Sequence, residues 1–363
     1  VVFYPNKPII RKNCLILQRN YNFSMSILIT GASGFVGSHL VDEALQRGME
    51  VWAAVRPSSS RRYLQDARIH FIELDFSSEE RLVQQLEGHA FDYVVHAAGV
   101  TKCVHPDDFH RVNTEGTKHL VNAILKLKMP LKRFIYISTL GVFGAIREQK
   151  PFTEINEHDT PLPNTAYGKS KLEAERYLDA IGNDFPYIIL RPTGIYGPRE
   201  KDYFLMVKSI ARHLDFAAGF SRQDITFVYI LDVVQAVFLA IDRGMSGRKY
   251  FLTDGGVYQS DTFSDLIRQE LGNPWCVRLK APLWLLRIIT ACGELVGRKT
   301  GKPIALNNDK YNILRQRNWR CNIEPTMDEL GYHPHYKLEQ GVKETVKWYC
   351  ENHWLSSKAA PKN

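Results

Sequence analysis

The chain reads as an α/β protein: a doubly wound parallel sheet with a smaller, mostly C-terminal α/β lobe. Three observations predict this. Short apolar strand-like runs alternate with helical patterns from residue 26 to about residue 191. Three glycines, Gly31, Gly34 and Gly37, sit between the first strand and the first helix. Beyond Arg191 the alternation breaks down into short polar and aromatic stretches with isolated helices, as expected of a lobe laid over the sheet.

The elements follow in order. Strands are predicted at 27–30, 50–55, 69–74, 93–96, 134–137 and 187–190. Helices are predicted at 35–47, 81–87, 108–128 and 166–180. This spacing places helices on both faces of a parallel sheet, with right-handed crossovers. Further strands are expected at 225–229 and 249–253, and helices at 261–271 and 338–352. Residues 1–24 form an N-terminal extension, expected to be disordered or a consequence of start-site choice with Met25 as the true start. A dinucleotide-binding domain is expected over 25–195. The lobe is expected over 196–355, with a segment at about 225–254 returning to the first domain, and 356–363 form a tail. No internal repeat is present.

Composition narrows the function. Of 363 residues, 44% are hydrophobic and 24% charged, which suits a globular protein with a sizeable core. The formal charge of +8 is scattered along the chain. It fits attraction for anionic cofactors better than nucleic-acid binding, for which no zinc-finger or aromatic RNP-type pattern is present. The six cysteines form no C-x-x-C and no metal-ligand spacing with histidine, so no metal site is expected. They fit reduced thiols and a cytoplasmic location. The apolar patch at 14–17 is too short for a signal core or a membrane span.

The chemistry is carried by four segments in one order: TGASGFVG (30–37), HAAG (96–99), ISTLGVFG (137–144) and YGKSK (167–171). In the first, Gly31 permits a tight turn, Gly34 a close backbone approach to a pyrophosphate, and Gly37 close packing of helix on strand. The helix start then offers free N–H groups to phosphates. After the second strand, where an NAD-preferring site would carry Asp or Glu, this chain has Arg56 followed by Pro57, three serines, Arg61 and Arg62. A guanidinium there suits a 2′-phosphate, so NADP(H) is favoured, with NAD(H) as the alternative. Asp75, after the third strand, is placed for the adenine amino group. Tyr167 and Lys171, four apart on a helix, share a face. A phenol of ordinary pKa about 10 beside an ammonium and an oxidised nicotinamide can move a proton near neutrality. Thr139 can hold the substrate oxygen, and Lys171 can also reach the nicotinamide ribose.

These segments resemble the extended short-chain dehydrogenase/reductases, also called the NAD-dependent epimerase/dehydratase family, over about residues 26–355. The resemblance implies a Rossmann-type sheet and a substrate-binding lobe. It makes Thr139 the catalytic hydroxyl, with Ser138 its neighbour, beside Tyr167 and Lys171. It implies cofactor contacts along Gly31, Ser33, Gly34, Phe35, Val36 and Gly37, at Arg56, Asp75 and Phe76, and at Ala97, Ala98 and Gly99. Asn113, Ser138, Tyr167, Lys171 and Pro192 complete that set. The run Arg191 to Pro198 matches the segment beside the nicotinamide, Asp232 a later helix start, and Glu329 to Pro334 with Trp348 and Tyr349 the usual ending. It also implies a homodimer through helices that include 167–180.

The expected activity is hydride transfer to or from a secondary alcohol or ketone carbon of a small molecule. A nucleotide-sugar epimerase is the alternative, and a non-catalytic dinucleotide sensor the reading from another class. Dehydration is disfavoured, because Leu140 and Gly141 stand where the acid pair of dehydratases would be. Residues 281–297, APLWLLRIITACGELVG, bear on the substrate. Three readings are open: a core helix of the lobe, which is preferred, a lid over an apolar substrate, and an interfacial helix backed by Arg298, Lys299 and Lys302. Similar apolar helices in steroid dehydrogenases and dihydroflavonol reductases tilt the substrate toward a lipophilic ketone or alcohol.

Overall fold

A computed structural model of the chain describes residues 25–304 and 306–355. The expectations for 1–24 and 356–363 lie outside the described residues. The strands are β1 (Ser26–Thr30), β2 (Glu50–Val55), β3 (His70–Glu73), β4 (Tyr93–His96), β5 (Arg133–Ile137), β6 (Tyr187–Pro192), β7 (Gly194–Tyr196), β8 (Leu214–Ala218), β9 (Asp224–Ile225), β10 (Phe227–Tyr229), β11 (Lys249–Leu252), β12 (Tyr258–Gln259) and β13 (Val277–Ala281). Seven of them form one sheet in the order β11-β6-β5-β4-β1-β2-β3, with every pairing parallel.

β1 lies between β2 and β4, with Ile29 opposite Ala53 on one side and Val95 on the other. The chain winds outward from β1 in one direction through β2 and β3. It then returns to wind the other way through β4, β5, β6 and β11. The loops leaving β1 and β4 therefore diverge, and a crevice opens at the carboxyl ends of these strands.

Both faces of the sheet are buried, which explains why its strands read as unbroken apolar runs. Ile27, Ile29, Val95, Ile135 and Ile188 pack on helices Phe35–Gln46 and Ile230–Arg243. Leu28, Val94, Phe134, Tyr136 and Ile189 pack on helices Glu79–Leu86, Gly116–Lys126 and Ala166–Ile181.

Three expectations needed correction. The single strand at 225–229 is two, because the chain changes partner at Thr226. β9 runs antiparallel to β12 and β10 parallel to β7, while the Thr226 hydroxyl donates to the Trp319 carbonyl at 2.6 Å. The helix at 108–128 spans 107–126 and is wound as a π-helix over His110–Glu115. The preferred core reading of 281–297 does not hold. Helix Leu283–Thr300 buries only Leu286, Thr290 and Gly297, leaving Trp284 66% exposed. Thr290 lies on the inward side, fully buried, with its hydroxyl donated to the Leu286 carbonyl at 3.0 Å, whereas Arg287 is exposed.

Candidate active site

The glycine loop has the close approaches that its sequence requires. Gly31 has φ +67°, and a Cβ there would meet the Ala97 carbonyl and the Ala98 amide at 2.8 Å. A Cβ at Gly37 would lie 2.1 Å from the Gly31 carbonyl oxygen. Gly34 caps helix Phe35–Gln46 without a side-chain hydrogen bond, and the first turn carries no acid. Among the described residues no side chain answers the first N–H groups of that helix, and the missing Cβ atoms let the loop pack directly on the backbone at Ala97, Ala98 and Gly31. That fits the phosphates of a dinucleotide. Ser33, Phe35 and Val36 are half-buried around it.

A buried proton chain ties this loop to its neighbours. The Ala98 amide donates to Thr30 Oγ1 at 3.1 Å, and Thr30 lies 2.7 Å from His96 Nδ1. His96 Nε2 lies 3.0 Å from Thr117 Oγ1, which donates to the Asn113 carbonyl at 2.6 Å. Only one proton order satisfies every member: Thr30 donates to Nδ1, and Nε2–H donates to Thr117. Burial, helped by the Lys171 charge, pulls His96 down to about 3, so the imidazole stays neutral. Asn113, in the π-helical turn, closes the loop after β4. Its Oδ1 accepts from the Val100 amide at 2.8 Å, and its Nδ2 donates to the Val100 carbonyl at 3.0 Å and to Ser170 Oγ at 3.1 Å.

Thr139 and Lys171 lie at the end of β5, against the helix whose first turn carries Tyr167. Thr139 caps the short turn Leu140–Val142 and accepts from the Gly141 amide at 3.1 Å, leaving its hydroxyl hydrogen for a substrate oxygen. Gly168 lets the next helix approach closely: a Cβ there would sit 2.6 Å from the Gly141 carbonyl. The helix that carries Tyr167 is thereby held against the Thr139 turn. The Tyr167 ring meets Phe109 edge-on at 6.1 Å. Lys171 Nζ donates to the Ile137 carbonyl at 2.7 Å and lies 4.4 Å from the Tyr136 ring centre. Burial draws Lys171 down to about 7, against the pull of Glu175, and pushes the Tyr167 phenol up to about 12. In the protein alone Tyr167 is therefore a neutral acid, able to give a proton to a forming alkoxide.

Other residues are committed inside the protein. The Ser138 hydroxyl donates to Glu175, which also pairs with Arg191 at 2.5 and 3.1 Å; both ions are buried. Pro192, buried at the end of β6, follows directly. Asp75 Oδ1 accepts from the Ser77 amide at 3.0 Å and Oδ2 binds Arg81; these bonds hold its carboxyl down at about 2. Phe76 packs beside the His96 ring at 5.7 Å. After β2, Arg61 lies over Phe71 at 4.2 Å and Arg62 over Tyr63 at 5.4 Å. Arg56 is exposed at the strand end, its backbone held in a turn by Ser59. Ala97, Ala98 and Gly99 line the loop from β4, and a Cβ at Gly99 would stand 3.7 Å from Lys171 Nζ.

Sequence reasoning missed Asp309. Its carboxylate, from the lobe, accepts the amides of Ala166 at 3.0 Å and Tyr167 at 3.1 Å. It thereby supplements the Thr165 cap, which accepts from the Gly168 amide at 2.9 Å. Asn312 adds a bond to the Asn164 carbonyl at 2.8 Å. The same element lines a cavity of about 160 Å³ beside Tyr167, with Cys103, Val104, Pro106, Phe109 and Ile304. Its charged lining is Glu294, Lys302 and Asp309.

This geometry is that of a dinucleotide-dependent enzyme, and the comparisons agree. The model of the NAD dependent epimerase/dehydratase family matches residues 27–252, and the chain belongs to that family. It is 27% identical over 338 residues to a UDP-glucose 4-epimerase of Vibrio cholerae, covering 90% of this chain and 96% of the relative. It is 28% identical over 332 residues to a 4-hydroxy-2-methyl-3-oxo-4-farnesyl-3,4-dihydroquinoline-1-oxide ketoreductase of Stigmatella aurantiaca, covering 88% and 95%. Among solved structures, the dTDP-glucose 4,6-dehydratase of Bacillus anthracis in complex with NAD superposes with a TM-score of 0.73 at 20% identity. That match covers 91% of this chain and 98% of the other.

Proposed function

We propose that the chain is an NADP(H)-preferring oxidoreductase acting on a secondary alcohol or ketone of a lipophilic small molecule. When bound, the nicotinamide dinucleotide supplies or accepts the hydride. The glycine loop would hold its pyrophosphate, Arg56 its 2′-phosphate, and Lys171 its nicotinamide ribose. Thr139 orients the substrate oxygen, and Tyr167 gives it a proton in reduction or takes one in oxidation. A homodimer through the outer side of helix Ala166–Ile181 belongs to the same reading.

The observation that carries the substrate class is the lining of the cavity beside Tyr167. Val104, Pro106, Phe109, Ala166 and Ile304 give it an apolar wall, set against Asn307, Asn308 and the charged groups Glu294, Lys302 and Asp309. Among these lining groups a nucleoside-diphosphate sugar would find one ammonium, Lys302, to answer its negative charge, while Glu294 is already paired with Arg298. The farnesylated ketone in the name of the Stigmatella relative supports the same class. Buried Leu140 beside Gly141 leaves the dehydratase acid pair without a counterpart. The test pairs NADPH with lipophilic ketones in one panel and with UDP- and dTDP-sugars in another. Stoichiometric loss of reduced nicotinamide with a ketone is expected. Turnover of a nucleotide sugar with the cofactor returned unchanged would replace this reading with an epimerase.

A further inference from the structure

Helix Leu283–Thr300 wears its apolar side outward. Trp284, Ile288 and Leu295 are 66%, 54% and 59% exposed. At 100° per residue these three and Lys299 fall within a stripe about 60° wide, with Arg287 and Arg298 along one edge and Val296 along the other. The opposite side is engaged within the protein. A Cβ at Gly293 would strike the Leu306 carbonyl at 2.2 Å, and Leu286, Thr290 and Gly297 are buried. The helix has one acid, Glu294, which is largely covered and bonded to Arg298 at 2.6 Å. What meets solvent is therefore apolar and basic.

The preceding ladder has the same character. β13 pairs in parallel with β8, setting Val277 opposite Leu214 and Leu279 opposite Phe216, all of them exposed. The alternate residues Asp215 and Arg278 form an ion pair at 2.6 Å on the other face. Pro282 then leads directly into the helix. Large apolar side chains exposed on two consecutive elements point to an interaction site.

We propose that this face docks on a membrane surface bearing anionic headgroups, with helix Leu283–Thr300 lying in the interface. Charge decides between occupants. A second copy placed face to face would set Arg287 and Lys299 against the same basic stripe, with no exposed acid on it to answer them. An anionic lipid surface answers both and accepts the indole of Trp284 at headgroup level. No described helix is long and apolar enough to cross a membrane, so the contact is peripheral. The inner side of the same helix, at Gly293, Glu294 and Gly297, lines the cavity beside Tyr167. On the ketone reading, which the docking itself does not need, a lipid-dissolved substrate would reach the site from the surface to which the enzyme is bound.

Flotation of the 363-residue chain tests this. The vesicles are phosphatidylcholine alone and phosphatidylcholine with phosphatidylglycerol. The protein should float with the anionic vesicles at low salt, and less with neutral ones. The pair Trp284→Glu and Leu295→Glu, and separately the pair Arg287→Glu and Lys299→Glu, should each weaken binding by about tenfold or more. All four side chains are exposed, so NADPH affinity and Tm should stay at the unmodified values. A protein that remains soluble with anionic vesicles at low salt overturns the proposal. So does a concentration-dependent dimer in sedimentation equilibrium that Leu295→Glu abolishes while vesicle binding persists.

Discussion

Lys171 is a buried cation held between the ends of two strands, and its depressed pKa makes its cost to folding depend on pH. In the folded protein it titrates at about 7, against an ordinary 10.5. Below about pH 7 both states are protonated and the burial penalty is fully present. Between those values the folded state sheds its proton first, so the unfolded state binds more protons and stability rises with pH. The Tm of Lys171→Met minus that of the unmodified protein should therefore be largest below about pH 7 and shrink toward about pH 10. A difference that stays flat across that range would remove Lys171 from the account of pH. On the NADP(H) reading proposed above, Arg56 is the residue that sets the cofactor preference. A charge-assisted bond to a 2′-phosphate contributes about 1.5–3 kcal/mol, roughly a tenfold to hundredfold preference for NADPH. Arg56→Asp should reverse the ratio of NADPH and NADH dissociation constants, and equal constants in the unmodified protein would show Arg56 to be an ordinary surface residue. At this scale the candidate catalytic residues could be named from the sequence because their types and the spacing within each motif are local. The hydrogen-bond chain through Thr30, His96 and Thr117 was not. Two of its members lie inside the quoted motifs, yet their roles depend on three segments meeting in space.

The glycine loop and the lobe helix show what patterning along one element can and cannot tell. The spacing of Gly31, Gly34 and Gly37 is a local steric demand, so it could be read directly and the structure shows the contacts behind it. Gly37→Ala should be severe, because the added Cβ would lie 2.1 Å from a backbone carbonyl that no rotamer change can relieve. A loss of at least about 1–3 kcal/mol is expected, together with loss of NADPH binding, measured by denaturant unfolding and by titration. Helix Leu283–Thr300 is the counterexample. Periodicity identified two sides but not which one faces the protein, and burial of apolar residues was the default assumption. The structure reverses it because Gly293 and Gly297 allow close backbone packing against the segment around Lys302 to Leu306, drawing the Thr290 side inward. The π-turn at His110–Glu115 has no signature in the residue pattern either, although it carries Asn113 to the Val100 backbone.

Across the whole molecule, the C-terminal part of the chain is tied back to the helix beside the sheet's carboxyl ends. Asp309 reaches 143 residues back along the sequence to the amides of the helix that carries Tyr167 and Lys171. Nothing near Asp309 in the sequence announces that contact, whereas the parallel, doubly wound sheet followed from the alternation of strands and helices. Asp309→Ala should lower kcat about fivefold to thirtyfold, the equivalent of roughly 1–2 kcal/mol for a lost helix-end partner. NADPH affinity should change little, because the glycine loop lies elsewhere; a proportionate loss of cofactor binding would mean that the contact serves general stability. The central claim is that Tyr167 moves the proton while the sheet's crevice holds the dinucleotide. Single-turnover oxidation of bound NADPH by a ketone substrate, compared between the unmodified protein and Tyr167→Phe, tests it most directly. The variant should bind NADPH as tightly as the unmodified protein and transfer hydride about a hundredfold to ten-thousandfold more slowly. Hydride transfer at an unchanged rate in Tyr167→Phe would contradict the account.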